Sequence, residues 1–185
     1  MQDAALGTEI EFVDLVKKES GVDVNVCMQC GTCVGGCVQE WTMDYNSRRI
    51  TGFILNDQKK EALSSKAIWV CAGCHTCTAR CPRGVDLAKV MDTLRIMSKR
   101  EGLVHKEAKG IPLFNDIFLK LIKTFGRMYE PGLLMGHNLL SGNLLKDMEK
   151  GPSMFLKGKL SLLPTKIKGL DEIKEIFRKV EEMEG

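Results

Sequence analysis

Apolar residues recur at helical spacing along several segments of this 185-residue chain, which predicts helices rather than strands. Near the N-terminus, Thr8 and Glu11 have the capping-box pattern, with Thr8 as N-cap and Glu11 at the third helical position. This helix is expected to end at Ser20 and Gly21. Residues 22–26 are then expected to form a short extended segment.

The middle of the chain also has a helical pattern. Ser47 is expected to cap a helix over residues 48–56, and Asp57 to cap a second helix over residues 58–64. Alternating strand patterns are missing here, and an apolar patch follows at residues 68–70. The pattern favours an all-α fold.

Helical spacing continues in the second half of the chain. Asp86 is expected to cap a helix that ends before Gly102, and residues 113–125 form a helix with a wide apolar face. A last amphipathic helix is predicted around residues 173–180. Residues 151–169 are expected to be extended.

Two parts are therefore expected: a helical domain over residues 1–102 and a C-terminal helical extension over residues 103–185. The extension alternates short apolar pieces with glycine and proline breaks, which favours an arm that binds a partner. A small helical subdomain packed on the first domain is the alternative.

Composition and charge narrow the possible functions. The net charge of +3 is too small to indicate a nucleic-acid partner. Residues 99–168 carry thirteen basic and six acidic side chains, which form either a solvated face or a surface for an acidic partner. The N-terminus lacks a signal-peptide pattern, and no apolar run approaches the ~20 residues of a membrane span. A cytoplasmic protein without a membrane span is expected.

All eight cysteines lie in two runs with the same spacing, C-x2-C-x2-C-x3-C. The first run consists of Cys27, Cys30, Cys33 and Cys37, and the second of Cys71, Cys74, Cys77 and Cys81, which Pro82 follows. This spacing is typical of proteins with two [4Fe–4S] clusters, in which the fourth cysteine of each run binds the other cluster.

The spacing therefore predicts two [4Fe–4S] clusters with crossed ligands. One cluster would be bound by Cys27, Cys30, Cys33 and Cys81, and the other by Cys71, Cys74, Cys77 and Cys37. The helical linker between the runs disfavours a compact β-hairpin ferredoxin.

Two other uses of cysteine fit the pattern less well. A zinc site would use pairs of C-x2-C or sets of four Cys and His ligands separated by a longer loop. His75 is expected to be a loop residue, because four cysteines already surround it. A disulfide framework is disfavoured, since no export signal indicates an oxidising compartment.

Three stretches carry a family resemblance: Cys27-Met-Gln-Cys-Gly-Thr-Cys33, Ser47-Arg-Arg-Ile50, and the run from Trp69 to Val85. Together they resemble the two-cluster, α-helical ferredoxin-like domain found in the C subunit of heterodisulfide reductase. Similar domains occur in components of succinate dehydrogenase and anaerobic glycerol-3-phosphate dehydrogenase, and the motif alone does not separate these families. The first run commonly ends Cys-Pro in the family, whereas Val38 stands here, which affects the rigidity of the turn rather than the ligands.

The resemblance implies an electron-transfer component of a cytoplasmic CoB-CoM heterodisulfide reductase in methanogens. Such a component relays electrons between the flavin-containing A subunit and the cysteine-rich, catalytic B subunit, and no catalytic residue is expected on this chain. One alternative is the relay component of another oxidoreductase, such as a glycerol-3-phosphate dehydrogenase or a sulfur-metabolism complex. A second is a binding module in which the clusters or zinc are structural.

Overall fold

The computed structural model describes residues 11–142 and 167–184. Within these ranges the regular structure is helical, without strands, which confirms the predicted all-α class. The α-helices are α1 Phe12–Ser20, α2 Ser47–Leu55, α3 Lys59–Leu63, α4 Ala67–Val70, α5 Thr76–Ala79, α6 Leu87–Arg100, α7 Gly110–Phe125, α8 Glu130–Ser141 and α9 Leu170–Glu184. Short 3₁₀ helices cover Val24–Val26, Glu40–Thr42 and Lys106–Ala108.

The chain forms two compact units that divide between Lys109 and Gly110. In the first unit, α6 packs against α1, α3, α4 and α5, and α2 packs against α1 and α3. The largest side chains that are fully buried between these helices are Ile50, Ile54, Leu63, Ile68, Met91, Leu94 and Met97. Burial of apolar surface stabilises a fold by roughly 25 cal/mol per Å². This core therefore supports the two cysteine loops, and Cys71 packs directly against it.

The start of α1 is set by a side chain from another part of the chain. The Phe12 amide donates to Asp57 Oδ1 over 2.7 Å, so the helix begins at Phe12 with Glu11 as its N-cap. The prediction that Glu11 lies inside this helix is therefore wrong, and Thr8 lies outside the described residues. Since Asp57 caps α1, the N-cap of α3 is Gln58.

The local structure differs from the sequence analysis at two further positions. Ser47 is the first residue of α2 and not its cap, because the Asn46 side chain accepts an amide of the first turn over 2.9 Å. Residues 24–26 form a 3₁₀ turn, in which the Asp23 carboxylate accepts the Asn25 amide over 3.0 Å. The expected extended conformation of this segment is therefore wrong.

The longer helices agree with the sequence analysis. Asp86 caps α6 by accepting the Lys89 amide over 3.3 Å, and α7 and α9 cover the two segments assigned by spacing.

In the second unit, α7 packs against α8 and α9. The extended segment expected over residues 151–169 lies almost entirely outside the described residues. No helix of the described part is long and apolar enough to cross a membrane.

Asp44 fixes the entry into the second cysteine loop. Its carboxylate accepts the Lys66 amide over 2.7 Å and the Ala67 amide over 2.8 Å, at the N-terminus of α4. Helix α4 ends directly before Cys71. A carboxylate at a helix N-terminus satisfies otherwise unpaired amides and interacts favourably with the helix dipole.

We predict that Asp44→Ala lowers the stability of the protein by about 1 kcal/mol, the usual effect of removing a capping side chain. Amide hydrogen exchange of the segment from Lys66 to Cys71, followed by mass spectrometry without oxygen, should become faster. The control is Asp171→Ala, which removes an exposed carboxylate in the first turn of α9, 4.0 Å from Lys174, and should leave hydrogen exchange of residues 66–71 unchanged. Unchanged exchange in the Asp44 variant would show that the cap contributes nothing.

Candidate functional site

The first cavity lies between the two cysteine runs. Cys27, Cys30 and Cys33 line it from the first run, and Cys81 completes it from the second. Including its opening to solvent, the cavity measures about 370 Å³. Four thiols around one space are the donor set that a [4Fe–4S] cluster requires.

The second cavity repeats this arrangement with the roles of the runs exchanged. Cys71, Cys74 and Cys77 line it from the second run, and Cys37 comes from the first. Its volume, about 410 Å³ with its opening, is close to that of the first cavity. Within residues 11–142 and 167–184, no three His, Cys, Asp or Glu side chains are near enough to share a single metal ion. The eight thiols instead surround two spaces, four thiols to each.

Residues next to the cysteines join the two runs at both ends. Arg83, just beyond the second run, donates from Nε to the carbonyl oxygen of Val26, just before the first run, over 3.2 Å. On the other side, the Arg80 side chain passes so close to Gly36 that a Cβ there would lie 2.7 Å from Arg80 Nη1. The absence of a side chain at Gly36 therefore allows the end of the first run to approach the second.

The two cysteine loops also share a backbone conformation. Gln29 and Gly31 have φ angles of 55° and 84°, and the residues at the same positions of the second run, Gly73 and His75, have 60° and 57°. This left-handed conformation suits glycine and costs other residues roughly 1–2 kcal/mol. Each loop therefore contains one glycine and one strained residue in turns that wrap the chain around its cavity.

A threonine contacts the most exposed thiol of each loop. Thr32 Oγ1 lies 3.3 Å from Cys30 Sγ, and Thr76 Oγ1 lies 3.4 Å from Cys74 Sγ. These hydrogen bonds lower the pKa of both thiols. Because the thiolate is the form that binds metal, the threonines favour the ligand state. The sequence analysis missed both residues, although a threonine at the same position of each run was the available signal.

Thiols deeper in the site have different surroundings. Burial raises the pKa of Cys77, and the nearby Cys71 adds to this effect. Cys81 Sγ accepts the Val85 amide over 3.4 Å. Hydrogen bonds to the sulfurs are among the factors that set the reduction potential of a bound cluster.

Arg95 on α6 fixes the start of the second loop. Its guanidinium group donates to the carbonyl oxygens of Ile68 and Cys71 and pairs with Asp92 over 2.8 Å. The arginine therefore joins the longest helix of the first unit to the backbone of a cavity-lining cysteine. Sequence reasoning assigned Arg95 no role, because its two acceptors are carbonyl groups far away in the chain.

His75 borders the second cavity and lies beside an acidic residue. Its Nδ1 is 3.7 Å from Asp86 Oδ1. The Thr78 hydroxyl donates to the same oxygen over 2.8 Å, which lowers the pKa of Asp86. Asp86 is therefore an ionised group between the second loop and the N-terminus of α6.

Apolar side chains project from the surface beside the loops. Trp41, in the 3₁₀ helix after the first run, is 81% exposed, and Met28 and Val38 are also largely exposed.

Comparison with known proteins places the site in a described domain type. Residues 23–85, which include both cysteine runs, match the family model of the 4Fe-4S dicluster domain. The chain is 37% identical over 99 residues to the C subunit of the ferredoxin:CoB-CoM heterodisulfide reductase of Methanosarcina mazei, a match over 52% of this chain and 59% of the relative.

Two further relatives come from methanogens. The C subunit of the H(2):CoB-CoM heterodisulfide,ferredoxin reductase of Methanothermobacter thermautotrophicus is 32% identical over 127 residues, 63% of this chain and 68% of the relative. The C subunit of the ferredoxin/F(420)H(2)-dependent CoB-CoM heterodisulfide reductase of Methanosarcina acetivorans is 38% identical over 104 residues, 55% of this chain and 62% of the relative. The chain thus spans about three fifths to two thirds of the length of these relatives.

Proposed function

Because this chain belongs to the family of heterodisulfide reductase C subunits, we propose that it is the electron-transfer component of a CoB-CoM heterodisulfide reductase. In that complex it relays electrons between the flavin-containing A subunit and the catalytic B subunit during methanogenesis. The observation that carries the proposal is the grouping of eight thiols into two sets of four around two cavities. When bound there, [4Fe–4S] clusters supply one-electron chemistry.

The proposed ligand scheme is crossed. Cys27, Cys30, Cys33 and Cys81 bind cluster 1, and Cys71, Cys74, Cys77 and Cys37 bind cluster 2. The scheme is supported by the lining of the cavities, since each takes three thiols from one run and the fourth from the other. The contact between Arg83 and Val26 supports it independently, because it joins the end of one run to the start of the other.

Residues around the thiols perform three tasks in this proposal. The Val85 amide donates to Cys81 sulfur, and the contacts with Thr32 and Thr76 lower the pKa of Cys30 and Cys74, so that negative charge on sulfur is favoured. Arg95 holds the second loop on α6. The apolar core beneath Cys71 keeps water from the inner side of the site, and solvent exposure is one of the factors that set cluster potentials.

We assign the chemistry of disulfide reduction to a partner protein of the complex. All eight cysteines of this chain are committed to the two cavities, so none is left as a nucleophile for a disulfide substrate. A cytoplasmic location fits this role, because a reducing compartment keeps the thiols available as ligands.

The C-terminal part, residues 103–185, is proposed to bind a partner. In the second unit, Met135 is 73% exposed and Leu139 is 66% exposed, both on α8. An isolated helical unit gains little from exposed apolar side chains, whereas a partner that covers them would gain hydrophobic stabilisation.

The crossed scheme predicts which pairs of cysteine substitutions act on one cluster. Cys81→Ser combined with Cys27→Ser should leave about four of the about eight iron atoms per chain, because both changes affect cluster 1. Cys81→Ser combined with Cys71→Ser should leave almost none, since each cluster loses a ligand. Iron and sulfide analysis with electron paramagnetic resonance spectra of anaerobically reconstituted protein measures this.

The control for the first pair is Cys37→Ser combined with Cys71→Ser. Both of these changes affect cluster 2, so this variant should retain cluster 1. If Cys81→Ser with Cys71→Ser retains one cluster while Cys81→Ser with Cys27→Ser loses both, the ligands are not crossed.

Each threonine contact is expected to affect the midpoint reduction potential of one cluster and not of the other. Thr32→Val should lower the midpoint potential of cluster 1, because a hydrogen bond to sulfur stabilises the more negative reduced state. A bond of about 1 kcal/mol corresponds to ~40 mV for a one-electron couple. Thr76→Val should act in the same way on cluster 2. Potentiometric titration followed by electron paramagnetic resonance measures both couples.

Thr32→Ser retains the hydroxyl group and should keep the original potential. The tuning role would be disproved by valine variants whose two potentials both equal those of the unmodified protein.

Co-purification tests the function itself. Affinity-tagged chain, isolated without oxygen from its native cells, should retain a flavoprotein and a cysteine-rich protein that mass spectrometry identifies. The isolated complex should reduce the mixed disulfide of coenzyme M and coenzyme B. A different dehydrogenase as the retained partner would assign the relay to another oxidoreductase, and clusters that cannot be reduced reversibly would indicate a structural role.

A further inference from the structure

An open groove lies on the outer face of α2, next to the first cysteine loop. Its volume is about 1090 Å³ including its wide opening to solvent. The groove is lined by Gln29, Asp44, Tyr45, Asn46, Arg48, Arg49, Gly52, Leu55 and Asn56. The tasks assigned above to residues around the thiols include neither of the two arginines, although the Ser47-Arg-Arg-Ile50 stretch is one of the motifs that carry the family resemblance.

The groove contains two arginines without an acidic partner. Arg48 and Arg49 are exposed, and no carboxylate of the described residues lies within ion-pair distance of either guanidinium group. The acidic residue that lines the groove, Asp44, is already bound by two backbone amides at the start of α4. Most other arginines of the first unit have identified acceptors, as Arg95 and Arg100 show. Two adjacent unpaired guanidinium groups indicate an anionic ligand.

The groove is built rather than incidental. The Arg49 guanidinium lies 5.0 Å from the centroid of the Phe53 ring, which holds it by a cation–π contact. Tyr45 packs edge-on against the same ring with centroids 5.0 Å apart. Phe53 itself is buried in the core of the first unit. Both the charged and the aromatic wall of the groove are therefore anchored to the core.

The groove adjoins the first cavity. Gln29 and Arg48 line both, and Gln29 Nε2 lies 3.7 Å from Cys27 Sγ. A chain segment seated in the groove would therefore be separated from the first thiol set by single side chains. Arg49 lines the groove but not the first cavity, so a substitution at Arg49 leaves the lining of that cavity unchanged.

We propose that this groove receives a segment of a redox partner that carries at least two carboxylates, and that this contact places the partner beside the first cavity. The inference rests on the proposed electron-transfer function and adds the docking site for one partner. A guanidinium group can bind a carboxylate through two parallel hydrogen bonds, which orient the bound segment as well as attract it. Complementary charge also accelerates encounter between redox proteins.

The test measures binding of the partner proteins that co-purify with the unmodified chain, as dissociation constants at low and moderate salt. Arg49→Gln, and Arg48→Gln with Arg49→Gln, should weaken binding to one partner by about tenfold or more and reduce its dependence on salt. The control, Lys18→Gln with Lys60→Gln, removes the same charge from exposed positions of the same unit and should bind as the unmodified chain does.

Each result has a defined meaning. Iron content and electron paramagnetic resonance spectra of Arg49→Gln should be unchanged, because Arg49 does not line the first cavity; altered spectra would make the arginine structural and overturn the proposal. Equal affinities for all variants would overturn the docking site while leaving the relay function intact. If the unmodified chain retains no redox partner, the proposed function fails and the docking site with it.

In the remaining outcome, the groove binds a small inorganic anion and not a segment of a partner protein. Titration of the unmodified chain and of Arg49→Gln with inorganic phosphate tests for this outcome. If phosphate binds the unmodified chain but not Arg49→Gln, while partner affinity is the same for both, the groove is an anion site and the docking proposal is wrong.

Discussion

The fold of the first unit depends on one constraint, which is that each cysteine run contributes its fourth thiol to the cavity of the other run. Because each cavity takes three thiols from one run and the fourth from the other, residues 27–37 and 71–81 must face each other at a fixed separation. The helices between the runs can satisfy this condition only if they return the chain to its start. Helices α2, α3 and α4 do so, and their buried faces form the core with α1 and α6. The packing of this core therefore determines the geometry of the site.

The core and the loops are joined at a few polar contacts rather than by packing alone. Arg95 binds the backbone of Cys71 from α6, Asp44 caps the helix that precedes this cysteine, and Asp57 caps α1. Each contact joins residues that are more than twenty positions apart and satisfies backbone groups that the short helices leave unpaired. Short helices around cysteine loops gain little from their own propensity, so these contacts define where each helix begins and ends.

This dependence on distant partners explains which features the sequence could predict. The spacing of apolar residues predicted α6, α7 and α9, and the cysteine spacing led to two groups of thiols, because both patterns are local. The caps assigned to Ser47 and Asp57 and the helical position assigned to Glu11 were wrong, since the real partners come from other segments or from a neighbouring residue. The groove beside α2 could not be predicted either, because Gln29 and Arg48 meet there only after folding.

The two loops are almost equivalent in backbone and thiol contacts, but the proposed relay would need two ends that different partners can distinguish. Charge supplies the difference. The first cavity is bordered by Arg48, which has no acidic partner among the described residues, whereas the second is bordered by His75 beside the ionised Asp86. The unpaired charge of Arg48 favours the acidic partner segment proposed for the first end, whereas the Asp86 carboxylate near the second end is already bound by Thr78 and the Lys89 amide. Under the proposed function, the two similar cysteine loops would therefore present different surfaces to partner proteins, because the residues around them differ in charge.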